Sequence, residues 1–381
     1  MQYSDLDHVY QAYMQDFITN SYPEKWGFNY QIDDHDEMFK AVVQGYDYAR
    51  DAYLAYMQSG WRMLSVVRQL ADFAFGGLSN VRSFLEFACG YGRFTRHLVM
   101  ECPVAHIIVS DIYREAVDWQ NRQFGVCGIY STSLPDEFPL VTSFDMIFVG
   151  SLFSHLPEKL FEQWLKKLFS MLNPGGVIVL SVHDCHLIPG TPPKADRKDQ
   201  VFLYEKHSES GTLSGEIYGT TYVSEKYVSE LIRKVCPKSG GIYRRFMKGL
   251  YENQDIYIIP CDTNHDWSRF ELVIAPIGGK WFCESKENEI VGSAWALNLN
   301  PRGHFDFADI YINDTHIKTM PTVVEASGVI ERYFPGLQTH PIRCDFRLPK
   351  FEIPINSVLK CRFSATPDCY FDVYMNYFGM K

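Results

Sequence analysis

Apolar positions in this chain gather into short runs separated by helical periodicity. Runs at 83–88, 104–110, 126–130, 144–149 and 176–183 predict strands. The clearest helix between them is 158–172, where Leu160, Phe161, Trp164, Leu165, Leu168, Phe169 and Leu172 share one face. Pro157 suits the turn before it, and Asn173-Pro174-Gly175-Gly176 ends it. Strands and helices alternating in this way predict an α/β, doubly wound, Rossmann-like domain with a parallel sheet. A further helix is expected over 224–235, and further apolar runs lie at 241–247 and 254–259.

The two ends of the chain read differently. Residues 1–60 are rich in tyrosine, and Met38 to Met57 predicts a helix with Met38, Val42, Tyr46, Ala49, Tyr53 and Tyr56 at three- and four-residue intervals. This aromatic stripe either rests on the main domain or covers a ligand. Both readings make 1–60 an N-terminal helical cap on a domain spanning 61–260. Residues 189–215, with Pro189, Gly190, Pro192, Pro193 and the charged stretch Lys194 to Lys198, form a long insertion, and long loops in compact domains are often functional. Its place after the fifth strand suggests substrate gating.

The polar segment 261–268 reads as a linker. Beyond it, Phe270 to Pro276, Glu289 to Leu299, Phe307 to Ile312, His316 to Met320, Ile342 to Leu348 and Ser357 to Phe363 predict short strands separated by turn residues. They imply a C-terminal β-sandwich over 268–381.

Composition narrows the function classes. A chain of 381 residues exceeds one ordinary domain, and 46% apolar residues allow a large core. A net charge of -10 without a Lys/Arg cluster argues against a nucleic-acid partner. The ten cysteines show no C-x-x-C spacing, which fits reduced cytoplasmic thiols rather than disulfides or zinc. No basic segment followed by an apolar run opens the chain, and no run of eighteen apolar residues interrupts it, so neither a leader nor a membrane partner is expected. A homo-oligomer stays open.

The chemistry centres on Glu86-Phe87-Ala88-Cys89-Gly90-Tyr91-Gly92-Arg93, which joins the first strand to a helix-like run, Phe94 to Met100. A strand, a glycine turn and a helix start bring backbone N–H groups close to a small polar ligand. Asp111 ends the next strand, which in a parallel sheet sets it beside that loop. Two acids around one loop suit a ligand with an amino group and a ribose. A nicotinamide dinucleotide would want a third glycine, absent here, and would meet the Glu86 carboxylate with its pyrophosphate.

These motifs resemble a class I S-adenosylmethionine-dependent methyltransferase from about Tyr53 to Pro260. Glu86 to Gly92 corresponds to the glycine-rich first motif, with Ala88 where the first glycine usually stands. Phe144 to Ser151 is similar to the fourth strand and its loop. Leu172 to Val179 is similar to the turn and fifth strand. The runs 241–247 and 254–259 look like the antiparallel pair that closes a seven-stranded methyltransferase sheet.

The resemblance implies S-adenosyl-L-methionine as cofactor, held by Glu86, Ala88, Cys89, Gly90, Gly92, Arg93, Asp111, Ile112, Ser131, Gly150 and Ser151. Ser131 and Thr132 stand where many members place an Asp against the adenine. Gly90 to Leu98, Ser151 to Leu156, Tyr218 to Tyr222 and Asn253 to Tyr257 resemble a bacterial subgroup often found with glycosyltransferases, which points to a sugar or glycan acceptor. Asp309 to Asp314 and Glu325 to Pro335 resemble an Ig-like module.

Methyl transfer to a hydroxyl asks for alignment and a base near the proton. His155, just after the fourth strand, is the first candidate, its alternative being to hold the loop. His183, with Asp184 as orienting carboxylate, is the second. Ser154, Asp184, Tyr218 and Tyr222 are the candidate acceptor contacts. His183, Asp184, Cys185 and His186 invite a metal, but neighbours on a strand face opposite ways, so no metal is expected. The expected function is O-methylation of a small molecule, sugar or glycan. The alternatives are N-methylation, or a glycan- or partner-binding protein whose methyltransferase domain is inert.

Overall fold

In a computed structural model, the chain is described at residues 8–22, 27–46, 49–139, 142–185, 188, 201–208, 210–250, 254–272, 277–297, 305–313, 315–324, 342–350, 353–354, 357–366 and 369–378. It divides into two compact units. One runs from Glu24 to Leu272, and the other joins Gln2–Pro23 to Val273–Lys381. The expected cap over 1–60 is therefore split. Helix α1 (His8–Ser21) belongs with the C-terminal strands, while α2 (Glu37–Gln44) and α3 (Ala49–Phe75) belong with the central domain.

The single helix expected over 38–57 is two. Asp36 caps α2 by accepting from the Phe39 N–H, and Gly45 closes it. The stripe divides accordingly: Met38 and Tyr46 are exposed, whereas Tyr53, Tyr56 and Met57 are buried.

The central domain is built on a sheet in which β1 (Phe84–Phe87), β2 (Ile107–Asp111), β3 (Cys127–Tyr130), β4 (Phe144–Val149) and β5 (Leu172–Asp184) run parallel in the order β3-β2-β1-β4-β5. The order reverses between β1 and β4, so a crevice opens at the carboxyl ends of β1, β2 and β4. Helix α4 (Thr95–Leu98) is one turn, shorter than the run to Met100. Helices α5 (Arg114–Phe124) and α6 (Glu158–Ser170) follow β2 and β4. The α6 face Leu160, Phe161, Trp164, Leu165, Leu168 and Phe169 is buried as its periodicity requires.

The sheet has nine strands, not seven. The two additional ones lie between β5 and the next helix: β6 (Phe202–Glu205), within the insertion, pairs with β7 (Thr220–Val223), just beyond it, and β7 joins the last two residues of β5, His183 and Asp184. The Pro189 to Lys198 part of the insertion lies outside the described residues, as do His186 and Asn253. Ser224 caps α7 (Glu225–Val235). Strands β8 (Arg244–Leu250) and β9 (Gln254–Pro260) close the sheet antiparallel on β5. The polar 261–268 is not a bare linker, because Trp267 is buried and its ring meets Phe73 5.3 Å away.

The second unit contains two antiparallel four-stranded sheets. One is β10 (Ile277–Ser285), β11 (Glu289–Leu297), β15 (Ile342–Pro349) and β14 (Val323–Val324); the other is β13 (Thr315–Pro321), β12 (Phe307–Ile312), β16 (Ser357–Thr366) and β17 (Cys369–Phe378). Ile290, Ala294 and Phe346 from the first sheet join Ile310, Cys361 and Val373 from the second in one buried cluster. On α1, Met14, Phe17 and Ile18 are buried, and Asp16 accepts from the Lys360 ammonium (3.0 Å) and the Tyr374 hydroxyl (2.7 Å). Strands β10 and β17 were not expected. The strand expected at 270–276 is not found at Phe270, which follows a 3-10 turn, and 273–276 lie outside the described residues, as do Glu325 to Pro335.

Among the described residues no helix is long and apolar enough to cross a membrane, and no three His, Cys, Asp or Glu side chains gather as a metal site.

Candidate functional site

The loop after β1 is held in left-handed backbone. Ala88 (φ 59°), Gly90 (φ 52°) and Gly92 (φ 75°) all have positive φ. Ala88 tolerates this at a cost of about 1 kcal/mol that a glycine would avoid. A side chain at Gly92 would meet the Phe124 ring 2.4 Å away. Ser151, two residues after β4, is left-handed too (φ 61°).

Asp111 fastens the loop from the neighbouring strand. Its carboxylate accepts from the Gly90 N–H at 2.8 Å and from the Tyr113 N–H at 2.9 Å. Burial raises its pKa, and the N–H groups of Tyr113, Gly90 and Ile112 pull it back. Each carboxylate oxygen has a second lone pair, so these bonds leave capacity for ligand hydroxyls. Gln120 donates to the carbonyls of Cys89 (3.2 Å) and Gly90 (2.8 Å).

Glu86 faces the one-turn helix that follows the loop. It is buried and accepts from the Thr95 hydroxyl. Burial pushes its pKa up to about 8, with Thr95 and Arg93 opposing and Asp111 adding to the rise. A polar anchor for the one-turn helix is what its contacts describe.

Beside Asp111 lies a cavity of about 120 Å³. Asp111, Ile112 and the Ser131-Thr132-Ser133 turn line its polar side; Leu152, Leu156, Leu160 and Trp164 give it an apolar wall. Ala88 and Tyr218 also border it, as do Leu213 of the insertion and Ile217 just after it. A carboxylate for a diol, three hydroxyls for a heteroaromatic edge and an apolar wall fit an adenosine. The volume is below the roughly 300–1,000 Å³ of small-molecule sites. That insertion is fastened at its tip. Ser210 and Tyr113 share a hydroxyl–hydroxyl bond of 2.5 Å, and the Gly211 N–H reaches Glu37 at 3.3 Å.

The candidate bases sit together behind this cavity. The His155 ring stacks on Tyr218, centroids 4.5 Å apart, and its Nδ1 bonds the Gly219 carbonyl at 2.8 Å. That bond makes Nδ1 the donor, so the lone pair of a neutral ring is on Nε2. The His183 ring is 6.1 Å from that of His155. Burial foremost, then His155, pulls the His183 pKa down to about 4, with the Thr221 backbone opposing. Its Nδ1 is buried without a hydrogen bond of good geometry.

Asp184 does not orient His183. It accepts from Arg245 at 2.7 Å, and the same guanidinium binds Asp255 at 2.6 Å and Glu225 at 2.7 Å. Strand alternation puts Asp184 on the face away from His183, which ties it to the closing strands. Tyr222 lies against the His183 ring at 5.5 Å. Ser154 is buried, donating to the Ser151 carbonyl at 2.9 Å.

Three residues that sequence reasoning passed over complete the site. Gln254 accepts from Ser181 (2.7 Å) and Ser151 (3.1 Å), and its amide nitrogen is 3.5 Å from His183 Nε2. Arg96 is fully buried and ties the Gly92 carbonyl to those of Asn29 and Gln31. Gly60 lets α3 touch the loop, since a Cβ there would lie 2.0 Å from the Arg93 carbonyl oxygen. Arg96 and Gln254 fall within the motifs Gly90 to Leu98 and Asn253 to Tyr257, but nothing local assigns them these contacts, and Gly60 lies in no motif. Their roles depend on long-range contacts.

Residues 85–178 match a family described as a methyltransferase domain, and this segment of the chain is a methyltransferase domain. No curated protein matches the chain. Among solved structures, the chain is similar to an O-methyltransferase family protein from Burkholderia thailandensis, at 14% identity over 68% of this chain and 71% of that one, TM-score 0.40. It is similar to 1,6-didemethyltoxoflavin-N1-methyltransferase of the same organism with S-adenosylhomocysteine bound, at 15% identity over 61% and 92%, TM-score 0.36. It is also similar to the CurJ carbon methyltransferase, at 15% identity over 59% and 58%, TM-score 0.38.

Proposed function

We propose that the protein is an S-adenosylmethionine-dependent methyltransferase acting on a hydroxyl of a small molecule, sugar or glycan. The observation that carries this is the cavity beside Asp111, with two histidines behind its tyrosine wall. When bound, the cofactor supplies an activated methyl group, so the chain's own residues have only to bind, orient, exclude water and move a proton. Asp111 accepts from the ribose hydroxyls. Ser131 and its neighbours meet the adenine, and Leu156, Leu160 and Trp164 cover its face.

Tyr218 and the insertion close over the site and exclude water. His155 receives the acceptor's proton at Nε2, its ring fixed by the Gly219 carbonyl. His183, with a pKa near 4, is the weaker base at neutral pH and helps hold His155 in place. The subgroup motifs support a sugar or glycan acceptor by analogy alone. The same holds for an Ig-like reading of the C-terminal sheets.

Calorimetry with S-adenosylmethionine, S-adenosylhomocysteine and NAD tests the cofactor. The first two should bind and raise the melting temperature, by mass action worth about 2.7 kcal/mol at a hundredfold excess over Kd. Asp111→Ala should weaken both by removing hydrogen bonds to a charged group, about 1.5–3 kcal/mol each. NAD binding in their place would sink the proposal. A screen of metabolite and glycan extracts with isotopically labelled methyl donor then identifies the acceptor.

A further inference from the structure

The second unit carries a cavity of about 760 Å³ that the methyl-transfer reading does not use, and its volume falls within the roughly 300–1,000 Å³ of small-molecule sites. It is lined mainly by outward-facing residues of the β10-β11-β15-β14 sheet, with Lys318 and Met320 of β13 along one side and the core residue Phe346 also bordering it. The inward face of this sheet is spent on the core, through Ile290, Ala294, Ala296, Cys344, Phe346 and Leu348. The alternate residues face the other way.

A bulge shapes that outward face. Lys280 pairs with Ala294 and Phe282 with Ser293, so Trp281 is the extra residue. A bulge breaks the alternation of side chains. Two adjacent aromatics are thereby exposed together: Trp281 is 46% and Phe282 40% accessible. Across the sheet, Phe282, Ser293 and Asp345 form one row. Asp345 accepts from the Ser293 hydroxyl at 2.7 Å and from Arg343 at 3.0 Å. Arg347 in the next row is paired with Glu289 at 2.8 Å.

We propose that this face is a saccharide-binding site for a neutral glycan, recognised through Trp281 and Phe282 with the Arg343–Asp345 pair. A pyranose has an apolar C–H face and a rim of hydroxyls that both donate and accept. Exposed aromatic rings cover the first, and an ion pair lying beside them supplies donors and acceptors for the second. Charge decides against a polyanion. Arg343 and Arg347 are each matched by a carboxylate and Lys318 adds a single further cation, so the face lacks the cluster of positive charge that phosphate binding needs. The proposal does not rest on the methyl-transfer reading, since a glycan bound here need not be the methyl acceptor.

The test uses the full chain and a panel of neutral linear hexasaccharides: cellohexaose, xylohexaose, mannohexaose and maltohexaose. Binding is read by tryptophan fluorescence and by saturation-transfer NMR on the sugar protons. At least one should bind. Trp281→Ala and Phe282→Ala should each weaken it about tenfold, as truncating an interface anchor does. Arg343→Gln should weaken it less. Melting curves unchanged from wild type establish that the exposed variants fold, and S-adenosylmethionine affinity should be unaffected in all three. Failure of the whole panel overturns the proposal. So does binding that survives Trp281→Ala and Phe282→Ala, or preferential binding of a heparin fragment or single-stranded oligonucleotide with steep salt dependence. Concentration-dependent self-association that buries Trp281 would also overturn it and make the face an interface between copies.

Discussion

His155 lies flat against Tyr218, ring planes 14° apart, so the first candidate base is one ring removed from the cavity beside Asp111. The same backbone carbonyl that holds its Nδ1, that of Gly219, belongs to the residue next to Tyr218. The Gly219 N–H in turn donates to the His155 carbonyl at 2.8 Å. Base, tyrosine and the Gly219 backbone are thus one linked unit.

His155→Gln should lower kcat about 10²–10⁴-fold on the identified acceptor while leaving cofactor affinity near normal. The acidic limb of its pH profile should vanish with it, because the neutral imidazole is the active form. His183→Gln should cost less, since a base with a pKa near 4 gains little by accepting a proton at pH 7. If both variants keep wild-type turnover, neither histidine is the base and the hydroxyl acceptor is in doubt.

Much of this was legible in the sequence, for physical reasons. The strands β1 to β5 and the helix at 158–170 show themselves because a buried parallel sheet demands continuous apolar runs and its helices a 3.6-residue stripe. The glycine loop and Asp111 carry local backbone demands. What stayed hidden depends on distant partners. The break at Gly45 divides an unbroken stripe, and polar surroundings at 261–268 disguise a buried Trp267. Asp184 looks like a partner for its neighbour His183 until Arg245, sixty-one residues away, claims it. Nothing local to Glu86 reveals that the Thr95 hydroxyl faces it.

Gly60→Ala inverts an ordinary rule. In an exposed helix interior the change is stabilising by about 1 kcal/mol. In α3 the new Cβ would sit 2.0 Å from the Arg93 carbonyl oxygen and 2.6 Å from the His97 ring. Helix and loop must separate, so the variant should melt lower and bind S-adenosylmethionine more weakly. A melting temperature at or above wild type would show that α3 does not brace the loop.

A chain of residues 24–272 should fold alone and bind cofactor, because it coincides with one compact unit and keeps Trp267 and Phe270 against Phe73. Ending at Pro260 instead should lower stability, since it uncovers Phe73 and removes the Asp262 carboxylate from the Gly175 N–H (2.7 Å). Thermal melts of the two chains decide the matter. Equal stability would return 261–272 to the status of a linker.

Glu86 should make stability fall with rising pH, opposite to the usual surface carboxylate. Its folded pKa is raised to about 8 by burial, against an ordinary value of 4.5. Between those values the native state holds a proton that the unfolded state has released, so unfolding free energy declines as pH increases. The decline cannot exceed about 1.4 kcal/mol per pH unit. His183 tilts stability the other way below about pH 6.5, but it is common to both proteins in the comparison and cancels. Glu86→Gln removes the titrating group while keeping a hydrogen-bonding oxygen for Thr95. Urea melts at intervals from pH 5 to pH 8 should therefore show the variant gaining on wild type steadily as pH rises. Curves that stay parallel would mean that Glu86 is ionised in the fold throughout, and that a cation or a ligand group balances it.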